Sequence, residues 1–337
     1  MKAFVLKGPG EAAIEVVPDP LRSPGQILLK VQRVGLCGSD LNSFRGKNPM
    51  VTFPRILGHE IAATIFESNG LHPDLIEGTA VAVSPYSSCG VCSSCRRGRP
   101  NACQFCQTMG VMRDGGLTEF IQAPAQDVFP ANLSLSELCI VEPLSIGFHA
   151  AARGKITAED TVAVIGCGGV GIGAIAGASF RGARVIAIDV DTKKLDLGRK
   201  AGASDLINTA SEALHERLRE LTHGSGPDVI IEAVGRPETF RAAVELVAFS
   251  GRVVYIGYAK EDVAYETRLF VQKELEILGS RNSVADNFRD VIRMLEEKRF
   301  PVADYISEVI SLDAAPEMLR RWSDHPNDFT KIIVRLD

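Results

Sequence analysis

Four cysteines, Cys89, Cys92, Cys95 and Cys103, stand in C-x2-C-x2-C-x7-C spacing in a loop rich in glycine, serine and arginine. Zinc takes four tetrahedral ligands, and thiolates two residues apart face one ion when the backbone turns tightly between them. Gly90 and Gly98 supply such turns, so the segment 86–106 reads as a small lobe folded around metal. Four thiolates close the coordination shell, which makes this metal structural. Disulfides or free thiols are the alternative, and Cys106, three residues after Cys103, competes for the fourth ligand place.

A second chemical signature follows an apolar run at 161–166: Gly166-Cys167-Gly168-Gly169-Val170-Gly171, then a helix-forming segment. In G-x-G-x-x-G the first glycine permits a tight turn, the second admits a pyrophosphate to the backbone, and the third lets helix and strand pack closely. The helix N-terminus then offers N–H groups and partial positive charge to the phosphates. Asp189, 18 residues after Gly171, ends the next strand where the adenosine ribose belongs. Its carboxylate accepts from a 2′-hydroxyl and repels a 2′-phosphate, and no arginine follows immediately, so NAD is expected over NADP. The plainer alternative is an aspartate that starts the turn Asp189-Val190-Asp191.

Cys37 in GLCGSD and His59 with Glu60 in GHE are further zinc-type donors. Alone, such residues are more often structural. Beside the cysteine lobe and the glycine fingerprint they make the chain resemble the zinc-dependent medium-chain dehydrogenases, the alcohol and polyol dehydrogenase family. The resemblance runs in order through GLCGSD, LGHE, the lobe, EPLS and the fingerprint. It implies a GroES-like β-rich catalytic domain beside a Rossmann coenzyme domain, with two zinc ions per chain. It also implies that Cys37 and His59 bind the catalytic zinc, and that Glu142 in Val141-Glu142-Pro143-Leu144-Ser145 fills the third position, a cysteine in many alcohol dehydrogenases. Glutamate there resembles the sorbitol, threonine and sugar-alcohol branch, where Glu60 is a ligand and Glu142 bonds the metal's water, or the two exchange. Carboxylate in place of thiolate makes the ion harder and suits substrates offering several hydroxyl oxygens.

The resemblance further implies that Ser39 passes the substrate proton outward, with Asp40 as a supporting partner. Asn42 replaces a frequent family histidine, so the outer relay runs through water or the cofactor ribose. His149 reads as a core or supporting histidine. Arg281, in Leu278-Gly279-Ser280-Arg281-Asn282, either binds a substrate carboxylate or hydroxyl or holds the domain junction. The expected activity is oxidation of a secondary alcohol on a polyol or sugar acid to a ketone, with hydride transfer to NAD, in a homodimer or homotetramer. L-threonine 3-dehydrogenase and sugar-alcohol-phosphate dehydrogenase are the nearest alternatives. A non-catalytic zinc-stabilised NAD sensor would be expected to lose the open metal site.

These groups must be held by elements, and the 337 residues suggest two domains and a tail. Runs at 2–7, 26–35, 61–67, 80–84 and 117–122 predict a β-rich first domain over 1–150, closed by a helix from 136 to 153. Strands at 161–166, 183–189, 205–208, 228–233, 252–258 and 275–280 alternate with helices at 191–201, 210–222 and 236–249. This is the pattern of an α/β doubly wound parallel sheet, domain 151–282. The remainder, 283–337, with helices at 286–299 and 313–323 and a strand at 331–335, is expected to return to the first domain. Hydrophobic residues at 45%, charged residues at 23% and a net charge of −5 without a basic stripe argue against nucleic-acid or membrane partners. The broken apolar start MKAFVLKGPG and unpaired cysteine chemistry suggest a cytoplasmic protein.

Overall fold

The structure is a computed structural model that describes every residue except Arg22, Asn69, Leu71 and Asp337. Two compact units divide the chain. The first comprises Met1–Glu142, Val284–Glu296 and Val302–Asp337; the second comprises Pro143–Ser283 and Glu297–Pro301. The expected boundary at 150/151 falls inside the helix Val141–Arg153, and the units part ahead of Pro143 instead.

In the first unit the strand Gln26–Leu36 is the hub. It pairs antiparallel with Glu60–Glu67, Phe120–Pro124 and Ile332–Arg335. Its alternating apolar residues Ile27, Leu29 and Val31 are almost fully buried, in a core that includes Phe4, Ile61, Leu117 and Trp322. The C-terminal strands Glu308–Ser311 and Ile332–Arg335 run parallel and join this sheet. A second sheet pairs Lys2–Gly8 with Glu11–Val16, a strand absent from the sequence reading.

Two elements differ from expectation for identifiable reasons. The strand expected at 117–122 begins only at Phe120, because Leu117 N–H donates to Leu57 O and Leu117 O accepts from Phe4 N–H. The helix expected over 136–153 is broken into Leu135–Cys139 and Val141–Arg153. Ser134 caps the first through a reciprocal pair with Glu137. Pro143 has no N–H to give Cys139 O, which ends the first helix and leaves Glu142 in the first turn of the second.

The second unit holds, among the described residues, a six-stranded parallel sheet. Its order is Asp205–Asn208, Arg184–Asp189, Thr161–Ile165, Val229–Glu232, Arg252–Tyr255, Glu276–Gly279. The reversal of order between Thr161–Ile165 and Val229–Glu232 opens a crevice at the strands' carboxyl ends. Val162, Ala163 and Val164 are fully buried, as a central strand covered on both faces requires.

Candidate active site and structural metal centre

Cys37 sits where the strand Gln26–Leu36 turns into the helix Gly38–Phe44, as the helix N-cap. Asp40, buried in the helix's first turn, accepts from Cys37 N–H at 2.9 Å and from Gly58 N–H at 3.3 Å. One carboxylate thereby ties the start of the helix to the segment carrying His59. Across the sheet Gly35 is paired with Glu60, and a Cβ at position 35 would stand 1.9 Å from Glu60 Oε2. Glycine alone leaves room for that carboxylate. The outcome is that one ligand atom each of Cys37, His59 and Glu60 lies within 4.8 Å of the others. Ser39 Oγ is 3.5 Å from His59 Nε2.

The site is built to receive positive charge. His59 is buried, and its Nδ1, 3.9 Å from Asp40 Oδ1, has no hydrogen-bond partner. Burial opposes the imidazolium, yet the charges of Asp40 and Cys37 hold its pKa well above the usual histidine value. A cation between these donors would answer the same field. Cysteine, histidine and glutamate form a zinc-type donor set, so the residues fit the metal that the sequence implies.

Two carboxylates flank this centre in different states. Glu60, fully buried, receives Lys331 Nζ on both oxygens at 2.5 and 2.6 Å, and the same ammonium donates to Leu36 O at 3.3 Å. Burial works against the Lys331 charge, but Glu60 and Tyr305 more than offset it and raise its pKa. Glu142 is buried too, and accepts a short hydrogen bond from the Tyr86 hydroxyl at Oε1. Burial pushes Glu142 up to about 7, against the pull of His59. Glu142 stands outside the tight group of three. Neither Lys331 nor Tyr86 was singled out in the sequence; each lies far along the chain from its partner and carries no local signal. His149 is buried on the helix Val141–Arg153, in the second unit.

The four-cysteine lobe has the geometry of a tetrahedral thiolate site. Sγ separations are 3.5 Å for Cys92–Cys95, 3.8 Å for Cys92–Cys103 and 3.6 Å for Cys89–Cys103. Four sulfurs about 2.3 Å from zinc would be about 3.8 Å apart, whereas a disulfide requires about 2.05 Å. Gly90 and Gly98, at φ +73° and +70°, make the left-handed turns between them. Cys92 N–H donates to Cys89 Sγ and Phe105 N–H to Cys103 Sγ, both at 3.3 Å. The Ser94 hydroxyl and nearby backbone donors draw the Cys92 thiol down to about 5. Cys106 is buried and stands outside the cluster of four.

In the second unit the glycine fingerprint joins the strand Thr161–Ile165 to the helix Gly169–Phe180. A Cβ on Gly171 would lie 1.8 Å from Gly166 O, whereas one on Gly168 would meet nothing within 4 Å. The third glycine is therefore required by packing, and the second faces open space where a phosphate can approach. Asp189 Oδ2 accepts from Cys167 N–H at 2.7 Å, and Oδ1 accepts from Val190 and Asp191 N–H at 2.8 and 3.0 Å. These bonds hold the carboxylate on the wall of a cleft of about 600 Å³ that Gly166 and Gly168 also line. Lys194 and Arg236 line the same cleft. No arginine immediately follows Asp189, and these two cations reach the cleft from the helix Thr192–Lys200 and from the cap of the helix Pro237–Leu246. Arg281 is exposed beyond the strand Glu276–Gly279 of this unit.

Comparison with known proteins finds two family matches along the chain. Residues 23–133 match the alcohol dehydrogenase GroES-like domain, and residues 169–297 match the zinc-binding dehydrogenase family. The sorbitol dehydrogenase of Bacillus subtilis is 32% identical over 99% of this chain and 97% of its own. The L-galactonate-5-dehydrogenase of Escherichia coli K12 is 31% identical over 88% of each. A solved alcohol dehydrogenase of E. coli CFT073, complexed with NADH, superposes with a TM-score of 0.92 at 28% identity over 100% of this chain and 99% of its own. The chain belongs to the zinc-type medium-chain dehydrogenases. It is an oxidoreductase acting on CH–OH groups, with zinc and a nicotinamide dinucleotide as cofactors. Among the described residues no helix is long and apolar enough to cross a membrane.

Proposed function

We propose that this protein oxidises a secondary alcohol within a polyol or sugar acid to the ketone, with NAD as hydride acceptor. The observation that carries this is the convergence of Cys37, His59 and Glu60 within 4.8 Å, with buried Glu142 nearby in place of a further thiolate. In this reading Cys37, His59 and Glu60 hold the catalytic zinc and Cys89, Cys92, Cys95 and Cys103 the structural one. When bound, zinc supplies the Lewis acid that lowers the pKa of the alcohol hydroxyl, and the nicotinamide supplies the hydride acceptor.

The remaining work belongs to the chain. Asp40 orients the Cys37 and His59 segments through its two backbone bonds. Ser39, whose hydroxyl donates and accepts at once, takes the alcohol proton and hands it outward. Lys331 holds Glu60. Gly168 and the N-terminus of the helix Gly169–Phe180 receive the pyrophosphate, and Asp189 receives the adenosine ribose. Arg281 is the proposed reader of a substrate carboxylate. We also expect a homodimer or homotetramer in the cytoplasm, the assembly to be read by light scattering.

The test is kcat/KM for ethanol, sorbitol and a hexonate with NAD and with NADP at one pH. Sorbitol or the hexonate should lead and NAD should be preferred, with Asp189→Ser narrowing the preference about tenfold, the worth of a hydrogen bond to a charged group. Ethanol in first place, or equal use of both cofactors by the wild type, contradicts the reading.

A further inference from the structure

The neck of the cysteine lobe reaches Glu142 through the side chain of Tyr86. Tyr86 lies on the short strand Tyr86–Ser87, paired antiparallel with Gln107–Thr108, so the two strands bracket all four cysteines. Ser87 Oγ donates to Gln107 O at 3.0 Å, and Arg113 Nη2 supports Pro85 O at 3.2 Å. From this braced position the phenol donates to Glu142 Oε1. Tyr86 thus stands three residues before Cys89, the first cysteine of the lobe, and donates to Glu142.

The two carboxylates of the site are not equivalent. Lys331 holds both oxygens of Glu60, whereas Glu142 Oε1 accepts from the Tyr86 phenol. A carboxylate has about four acceptor positions, of which the phenol takes one, and that bond fixes the direction in which the group faces.

We propose that Tyr86 is a positioning residue that fixes Glu142 beside the Cys37–His59–Glu60 group, and so sets the preference for an alcohol with a second hydroxyl next to the reacting carbon. The specificity half of this rests on the function proposed above; the positioning half does not. A neighbouring hydroxyl that meets a charged acceptor is favoured about tenfold or more over its absence.

The variant is Tyr86→Phe, which keeps the ring and removes the hydrogen bond. It is measured as the fully metal-loaded enzyme against butane-2,3-diol and butan-2-ol, which share a carbon skeleton. The expected result is about a tenfold loss of kcat/KM on the diol, carried by KM, and less than about twofold on butan-2-ol, with zinc content unchanged. Equal loss on both alcohols, or loss on neither, overturns the specificity claim. A second readout needs no turnover. With cobalt(II) in place of zinc, Tyr86→Phe should shift the visible absorption of the Cys37 site, and should add nothing further in a Glu142→Gln background. An unchanged spectrum, or additive shifts, overturns the positioning claim. A wild type that oxidises neither alcohol nor sorbitol defeats the functional reading and the specificity claim with it, while the cobalt spectra still decide whether Tyr86 positions Glu142.

Discussion

The two metal-type clusters of the first unit are assembled by different means. The lobe takes four cysteines from residues 89–103, a single stretch brought together by turns at Gly90 and Gly98. The group around His59 takes Cys37 from a helix cap and Glu60 from a strand start, and depends on the pairing of Gly35 with Glu60 across the sheet. Its supports come from further still, Lys331 271 residues from Glu60 and Tyr86 56 residues from Glu142. A closed thiolate shell answers to local folding, whereas the mixed donor group is held by tertiary structure and keeps carboxylates free to differ. Metal in the first should act on stability, and metal in the second on chemistry.

Paired substitutions test that contrast with the largest effects. His59→Ala should lower kcat/KM by about a thousandfold or more, the several kcal/mol of Lewis-acid stabilisation lost, while NADH binding and lobe zinc persist. Cys92→Ser should instead lower Tm, by on the order of 10 °C, because structural metal binding is folding free energy. Calorimetry, zinc analysis and steady-state kinetics on both variants check this. A Cys92→Ser enzyme of normal Tm, or a His59→Ala enzyme that has lost both metals, would erase the distinction.

Lys331→Met sharpens the account of the second cluster. It leaves the Glu60 charge buried without its ammonium, a loss of about 3–5 kcal/mol when one partner of a buried pair is removed. Zinc near Glu60 supplies positive charge of its own, so metal-free protein should lose more stability than loaded protein. Melting curves with and without zinc decide it, and equal losses in the two forms would place Glu60 away from the metal.

The smallest effect concerns Asp127, near Arg113 behind the neck of the lobe. Burial raises its pKa to about 6, against the pull of Arg113. A carboxyl whose folded pKa lies above its unfolded value destabilises the fold as it ionises, so this penalty is absent below about pH 4 and complete above about pH 6. After discounting for partial exposure it amounts to about 1 kcal/mol. Asp127→Asn should therefore stabilise the protein at pH 8 and do little at pH 4, read as the change in Tm at each pH. A gain that is the same at both values contradicts the assignment.

The lobe and the fingerprint are legible in the sequence because each rests on residue types at short, fixed spacing, whereas Cys37 and His59 stand far apart along the chain and are picked out through the family resemblance. The sequence carried the parallel sheet because strands such as Val229–Glu232 are continuous apolar runs. It did not carry the break at Ile140, where an uninterrupted helical pattern hides the missing N–H of Pro143. It missed Glu11–Val16, whose burial is only partial, and placed the 117–122 strand too early, since Leu117 bonds to Leu57 and Phe4 rather than along the sheet. Lys331 and Tyr86 escaped for the same reason: a lysine in a terminal strand and a tyrosine before a cysteine loop acquire their roles only from what the fold brings opposite them.

The most direct test is graded removal of metal by a chelator, following zinc released, activity and far-ultraviolet circular dichroism in one sample. The protein should begin with two zinc ions per chain. Activity should fall with release of the first, with dichroism unchanged and activity restored by added zinc, and structure should be lost only with the second. A starting content of one ion per chain, or loss of activity and structure together with a single release, would contradict two sites of separate purpose.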